Sequence, residues 1–176
     1  MFDVKSKKIT KLSKFSDDNK EYAKALLLIL ARLNFTKLVT SRALPKNSHA
    51  LLRTKFINVF HAVSSLNILQ AIIRKQGSSE LENAFFKAVC GEENVKWINK
   101  QASLRNFLTH YLLDNKQLKR MKPLFTREDA IYVLSGGVSM ATIEQRLDIA
   151  IENITTHIER FFNLEEESFW LHKVDP

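Results

Sequence analysis

Between Ser139 and Phe162 the chain carries one long amphipathic pattern. Ile143, Leu147, Ala150, Ile151, Ile154, Ile158 and Phe161 recur at three- and four-residue steps, while Glu144, Asp148 and Glu152 line another face. That period belongs to an α-helix that packs one side and leaves the other in water. The rest of the chain suits the same class: four glycines and three prolines in 176 residues leave little punctuation for a turn-rich strand fold. The expectation is an all-α protein with one core and one domain.

Six helical segments are predicted, an up-and-down bundle of five to six helices. The first starts after Asp17 or Asp18, good N-cap types, and runs to the stop at Pro45. The second begins near Asn47 or Ser48 and continues to Lys75, with Gly77 just beyond as a C-terminal signal. Ser79 followed by Glu82 is a capping box that opens a third helix ending at Gly91. The fourth covers Glu93 to Asn115 with a bend near its middle, the fifth Thr126 to Leu134 before Gly136-Gly137, and the sixth Ser139 to Phe162. The second helix differs from the sixth in having two apolar stripes. Leu52, Phe56, Val59, Val63 and Leu66 make one, and Ile57, His61, Ile68 and Ile72 fall roughly opposite, as expected of a central helix or one that also meets another subunit. Residues 1–16 read as a basic arm, 17–164 as the helical domain and 165–176 as a tail.

Charge is unevenly spread. Between Tyr22 and Ser79 there is no aspartate or glutamate but nine lysines and arginines, whereas from Thr126 onward ten acids face four bases. The basic half is suited to phosphates, since a polyanion docking there releases counterions. A competing reading gives the charge no nucleic-acid role, since many bundles of this pI bind none, and has the acidic half keep the chain soluble. A single cysteine, Cys90, excludes an internal disulfide, and no cysteine–histidine cluster offers a metal site, so neither metal nor cofactor is expected. The apolar run Ala25 to Ala31 stops short of the ~20 residues a bilayer span needs, and the lysine-rich start has no signal-peptide core. The expected setting is cytoplasmic, with no membrane partner.

One segment argues for chemistry: Ser103 to Leu113, SLRNFLTHYLL. Leu104, Phe107, Leu108, Tyr111 and Leu112 form its core stripe. With Leu104 at zero on a helical wheel, Arg105 lies near ~100°, Asn106 near ~200° and His110 near ~240°, so the polar trio is expected to face away from the interior. Asn106 and His110 are four apart, close enough for the amide to orient the imidazole. Leu113 projects among them, which suggests that a second copy covers this face across a two-fold axis. Of the other histidines, His157 falls in a core phase, His61 sits among Ile57 and Ile68 and reads as packing, and His49 and His172 lie near ends.

Arg105-Asn106-Phe107-Leu108-Thr109-His110 resembles the R-x(4-6)-H motif of the HEPN superfamily (higher eukaryotes and prokaryotes nucleotide-binding). Arg42 and His49 match the bare pattern too, but Pro45 lies between them and denies them a shared helical phase. The resemblance implies a HEPN-like bundle that dimerises and, in catalytic members, a metal-independent endoribonuclease with a composite site at the dimer interface. It implies toxins, antiphage effectors and RNA-processing enzymes as the functional range, RNA as substrate, and an antitoxin or nucleotidyltransferase as partner. It assigns catalysis to Arg105, Asn106 and His110. Two positions depart from the pattern: Leu112 stands where some members carry a modifiable tyrosine, and the second helix lacks the acidic residue many members place near the site. Ser64, Ser65, Asn58 and Asn67 remain open as substitutes.

These residue types fit RNA cleavage. Histidine can accept or donate a proton near neutrality, and arginine presents a planar cationic fork to phosphate oxygens. Two other readings compete: a non-catalytic dimeric module of the same fold that binds a partner protein or nucleotide, and a general RNA-binding bundle using the acid-free stretch. No G-x(4)-G-K-[ST], H-E-x-x-H or G-x-S-x-G motif occurs in the chain.

Overall fold

The computed structural model describes residues 13–46, 48–110 and 126–164, and these are helical throughout their regular elements. A 3-10 turn at Asp17–Tyr22 leads into α1 (Ala23–Phe35), which continues through a π-helical segment, Thr36–Thr40, and a last turn, Ser41–Ala43. Then follow α2 (His49–Gln76), α3 (Glu80–Gly91), α4 (Glu93–Asn99), α5 (Ala102–His110), α6 (Arg127–Leu134) and α7 (Met140–Phe161).

The termini follow from local chemistry. Leu44 precedes Pro45 and is extended, as the proline ring requires. Ser48, Ser79, Thr126 and Ser139 each accept an amide hydrogen bond from their helix's first turn, and at Ser79 and Thr126 the reciprocal bond completes a capping box. Gly136 and Gly137, at φ +78° and +85°, make the turn between α6 and α7 in a backbone region that side chains rarely enter.

Two long helices organise the bundle. α2 packs against α1, α3, α4, α5 and α7, and α7 in turn meets α1, α3, α4 and α6. The whole apolar stripe read on α7, from Ile143 to Phe161, is buried. So is the first stripe of α2, Leu52 to Leu66. The second stripe of α2 is not: His61, Ile68 and Ile72 are exposed and Ile57 is half-buried, so among the described residues only one side of this helix is covered. Although α2 is long and apolar enough to cross a bilayer by length and composition, the stripe from Leu52 to Leu66 is spent on the bundle's core.

The single fourth helix expected from the sequence is two helices. Lys100 and Gln101 close α4 with tight bonds to Trp97 and Ile98, and Gln101 then accepts the amide of Arg105 to start α5. Phase explains the break. Ile98 and Leu104 are both fully buried, yet six residues at ~100° leave them ~120° apart on one straight helix, so the chain restarts to bury both. The predicted continuation to Asn115, with Tyr111, Leu112 and Leu113, lies outside the described residues, as do most of the predicted arm and the tail. The end of that arm belongs to the body: Phe15 is buried with its ring 4.9 Å from that of Phe161, and the Lys14 amide donates to the Phe161 carbonyl.

Candidate active site

α5 lies along α2, and two contacts fix its position there. The Arg105 guanidinium sits 5.3 Å from the centre of the Phe60 ring, and the Arg53 Nη2 donates to the Thr109 carbonyl at 3.0 Å. Thr109 also donates its hydroxyl to the Arg105 carbonyl one turn back at 2.8 Å. α5 therefore delivers Arg105 to the middle of α2, and His110 toward the N-terminal third of α2.

Asn106 and His110 are exposed, on the face that the wheel assigns them. Arg105 is half-buried and corrects the expectation of a fully outward trio: at ~100° from the core stripe it lies on the boundary, where its stem packs and its cation stacks on an aromatic face. Its Nε is buried and has no hydrogen-bond partner among the described residues. An orphaned buried donor costs about 1–3 kcal/mol, so the position is not one that stability alone favours.

Arg105 shares this surface with residues from two other helices. His61, one position past Phe60, is exposed on α2, and its imidazole is held below the ordinary histidine pKa by partial burial first and then by the charges of Arg32 and Arg105. The imidazole is accordingly neutral at neutral pH, the state a proton acceptor needs. Arg32 is positioned through Asn58. Its Nε donates to the Asn58 Oδ1 at 3.0 Å, and Asn58 Nδ2 donates to the Thr36 hydroxyl at 3.0 Å where the π-helical segment begins. Such π segments recur at functional sites because they re-aim side chains.

Sequence reasoning named Arg105, Asn106 and His110 and treated His61 as packing; it missed Arg32, His61 and Arg53 as neighbours of the motif. One signal did point this way: the acid-free stretch from Tyr22 to Ser79 contains all three. Asn58, one of four candidates for the missing acidic position, is engaged in holding Arg32. His157 is half-buried with its pKa lowered by burial and by Arg160, consistent with the structural role read for it.

The charged halves of the chain meet along α7, besides the His49–Glu128 contact at the start of α2. Lys55 is buried and donates to Asp148 of α7 at 2.8 Å, and Lys37 pairs with Glu152. These acids engage lysines on the α7 side, while Arg32, His61 and Arg105 share the side away from it. Among the described residues no group of histidine, cysteine or carboxylate side chains is arranged to hold a metal ion. Cys90 is half-buried with its thiol pushed up to about 11, and so is unreactive as a nucleophile at neutral pH.

No family model, no curated protein and no solved structure matches this chain.

Proposed function

We propose that this chain is a metal-independent endoribonuclease of the HEPN type that acts as a cytoplasmic homodimer on RNA, in the functional range of toxins and antiphage effectors, with an antitoxin or nucleotidyltransferase as its regulatory partner. The observation that carries the reading is the setting of the motif. Arg105 borders a side of α1 and α2 on which apolar side chains stand in water: Leu28 is 72%, Phe35 58% and Ile68 62% exposed. α1 and α2 run antiparallel, with Asn19 bonded to Gly77 at one end and Arg32 to Asn58 further along. Leu28 and Phe35 lie a turn either side of Arg32 on α1, so two of these apolar groups flank a cationic side chain. Exposed apolar clusters of this kind mark interfaces, and a second copy seated there would bring two motif sets together.

In this reading one imidazole takes the 2′-hydroxyl proton, the 2′-oxygen attacks phosphorus, and the P–O5′ bond breaks as a second proton is delivered to the 5′-oxygen. His110 serves in one of these roles. Arg105 stabilises the negative charge on the pentavalent phosphate, and Asn106 binds or orients. The products are a 2′,3′-cyclic phosphate and a 5′-hydroxyl, and DNA resists for want of the 2′-hydroxyl. Incubation with RNA in excess EDTA tests it. Cleavage is expected, with rates roughly 10²- to 10⁴-fold lower in His110→Ala and Arg105→Ala; intact RNA, or unchanged cleavage by His110→Ala, overturns the enzymatic reading.

One observation favours a second reading, a non-catalytic dimeric module of the same fold: Arg105 is stacked on Phe60 and partly buried, as a structural arginine would be. In that case the same variants leave RNA untouched and weaken self-association or partner binding instead.

A further inference from the structure

Arg32, His61 and Arg105 gather from three helices, and the sequence motif accounts for only one of them. We propose, resting on the reading of the chain as an RNA-cleaving enzyme, that His61 is the general base of the reaction. The scissile phosphodiester sits between Arg32 and Arg105, and a motif His110 supplies the proton to the leaving group.

The helix geometry brings the three side chains together. Asn58 and His61 are three apart on α2, so they are surface neighbours with Cβ atoms about 5–6 Å apart. Arg32 donates its Nε to Asn58 at 3.0 Å, and α1 thereby delivers a guanidinium to one flank of the imidazole. Phe60 lies on the other flank at ~100° per residue, only ~1.5 Å of helix rise from His61. The Arg105 guanidinium sits 5.3 Å from the centre of that ring. After partial burial, the charges of these two arginines are what hold the His61 pKa down. Among the described residues no carboxylate pairs with either arginine, and α2 itself carries none. His61 is exposed, so a substrate can reach it.

Two unopposed cations beside an exposed imidazole disfavour its protonation and attract a phosphate. They keep the base free of its proton until substrate arrives. A phosphodiester seated between them then cancels part of their charge, so the imidazole becomes more basic just when a 2′-hydroxyl lies beside it. His61 takes that proton as the O2′–P bond forms. The P–O5′ bond breaks, O5′ receives a proton from His110, and both imidazoles regain their starting states by proton exchange with water. Arg32 and Arg105 hold the non-bridging oxygens as negative charge builds on them.

Cleavage of a short fluorogenic RNA in EDTA, followed from about pH 5 to 8, tests this with wild type, His61→Gln and Arg32→Gln. In the wild type kcat/KM is expected to rise with pH through a midpoint below the ordinary histidine value of ~6.5. The rising limb of kcat, which reports the bound complex, lies at higher pH. His61→Gln is expected to lower kcat roughly 10²- to 10⁴-fold at unchanged KM and to erase the rising limb. Arg32→Gln is expected to move the kcat/KM limb to higher pH, and it carries the test independently of the His61 substitution. Thermal melts alongside separate a lost group from a lost fold. Wild-type rates in folded His61→Gln, a fall in rate that leaves the limb in place, or a limb unmoved by Arg32→Gln each overturn the assignment while the nuclease stands. RNA left intact by the wild type overturns the nuclease reading itself and the role of His61 with it.

Discussion

Glu82 shows at the scale of one residue what a buried carboxylate requires. It is wholly buried, and it accepts from the Ser16 amide and hydroxyl, from Asn19 Nδ2 and from the Ser79 amide at 2.7–3.1 Å. Burial pushes its pKa up, but the hydrogen bonds from Ser79, Ser16 and Asn19 outweigh that and leave it below the ordinary value of 4.5. The folded state therefore binds this proton less readily than the unfolded chain does. The stability Glu82 contributes is complete above the ordinary carboxylate pKa and is lost as pH falls from there through the depressed value. Glu82→Gln is expected to flatten the acid limb of stability against pH, and Glu82→Ala to cost about 2–4 kcal/mol at pH 7 by orphaning several donors. Urea denaturation at pH 3, 5 and 7 checks both, and an acid limb identical to wild type in Glu82→Gln contradicts the assignment. The capping box half of this node was legible as Ser79-x-x-Glu82. The clamp on Ser16 and Asn19 was not, because it joins residues more than sixty positions apart.

Among the elements, α2 and α7 divide the work of the core, and their contact contains the one buried lysine of the described residues. Lys55 has a side chain only 7% exposed and finds Asp148, which is 59% exposed. Removing the acid strands a buried ammonium, whereas replacing the lysine with an apolar group of similar length removes the charge as well. Asp148→Ala is expected to lose about 1–3 kcal/mol, seen as a fall in Tm of several degrees, and Lys55→Met to lose less or nothing. The reverse order in thermal melts would show that the pair is not what holds Lys55 in place. The α4–α5 break belongs to this scale too. No glycine or proline announces it, and only the phase of Ile98 against Leu104 betrays that one helix cannot bury both.

For the whole molecule the proposed function requires an assembly. α1 and α2 leave Leu28, Phe35 and Ile68 in water around Arg32 and His61, and the proposed second copy covers them. Leu28→Glu with Ile68→Glu is expected to turn a dimer into a monomer in sedimentation equilibrium at micromolar concentration, to abolish RNA cleavage and to leave the helical fold intact, because neither side chain is in the core. A wild-type chain that sediments as a monomer under the same conditions rules the dimer out.

The sequence by itself determined the helical class, nearly every helix boundary, the buried stripe of α7 and the first stripe of α2, since capping, proline stops and a 3.6-residue period are local properties that survive in one dimension. It also isolated Arg105, Asn106 and His110 as polar groups on an amphipathic helix. Only the tertiary structure decided that the second stripe of α2 stays uncovered among the described residues, that Arg105 turns onto Phe60, and that Arg32, His61 and Arg53 gather around the motif. Those outcomes depend on how antiparallel helices align side by side, and the alignment is set by the packing of side chains distant in the chain, which no short-range pattern encodes.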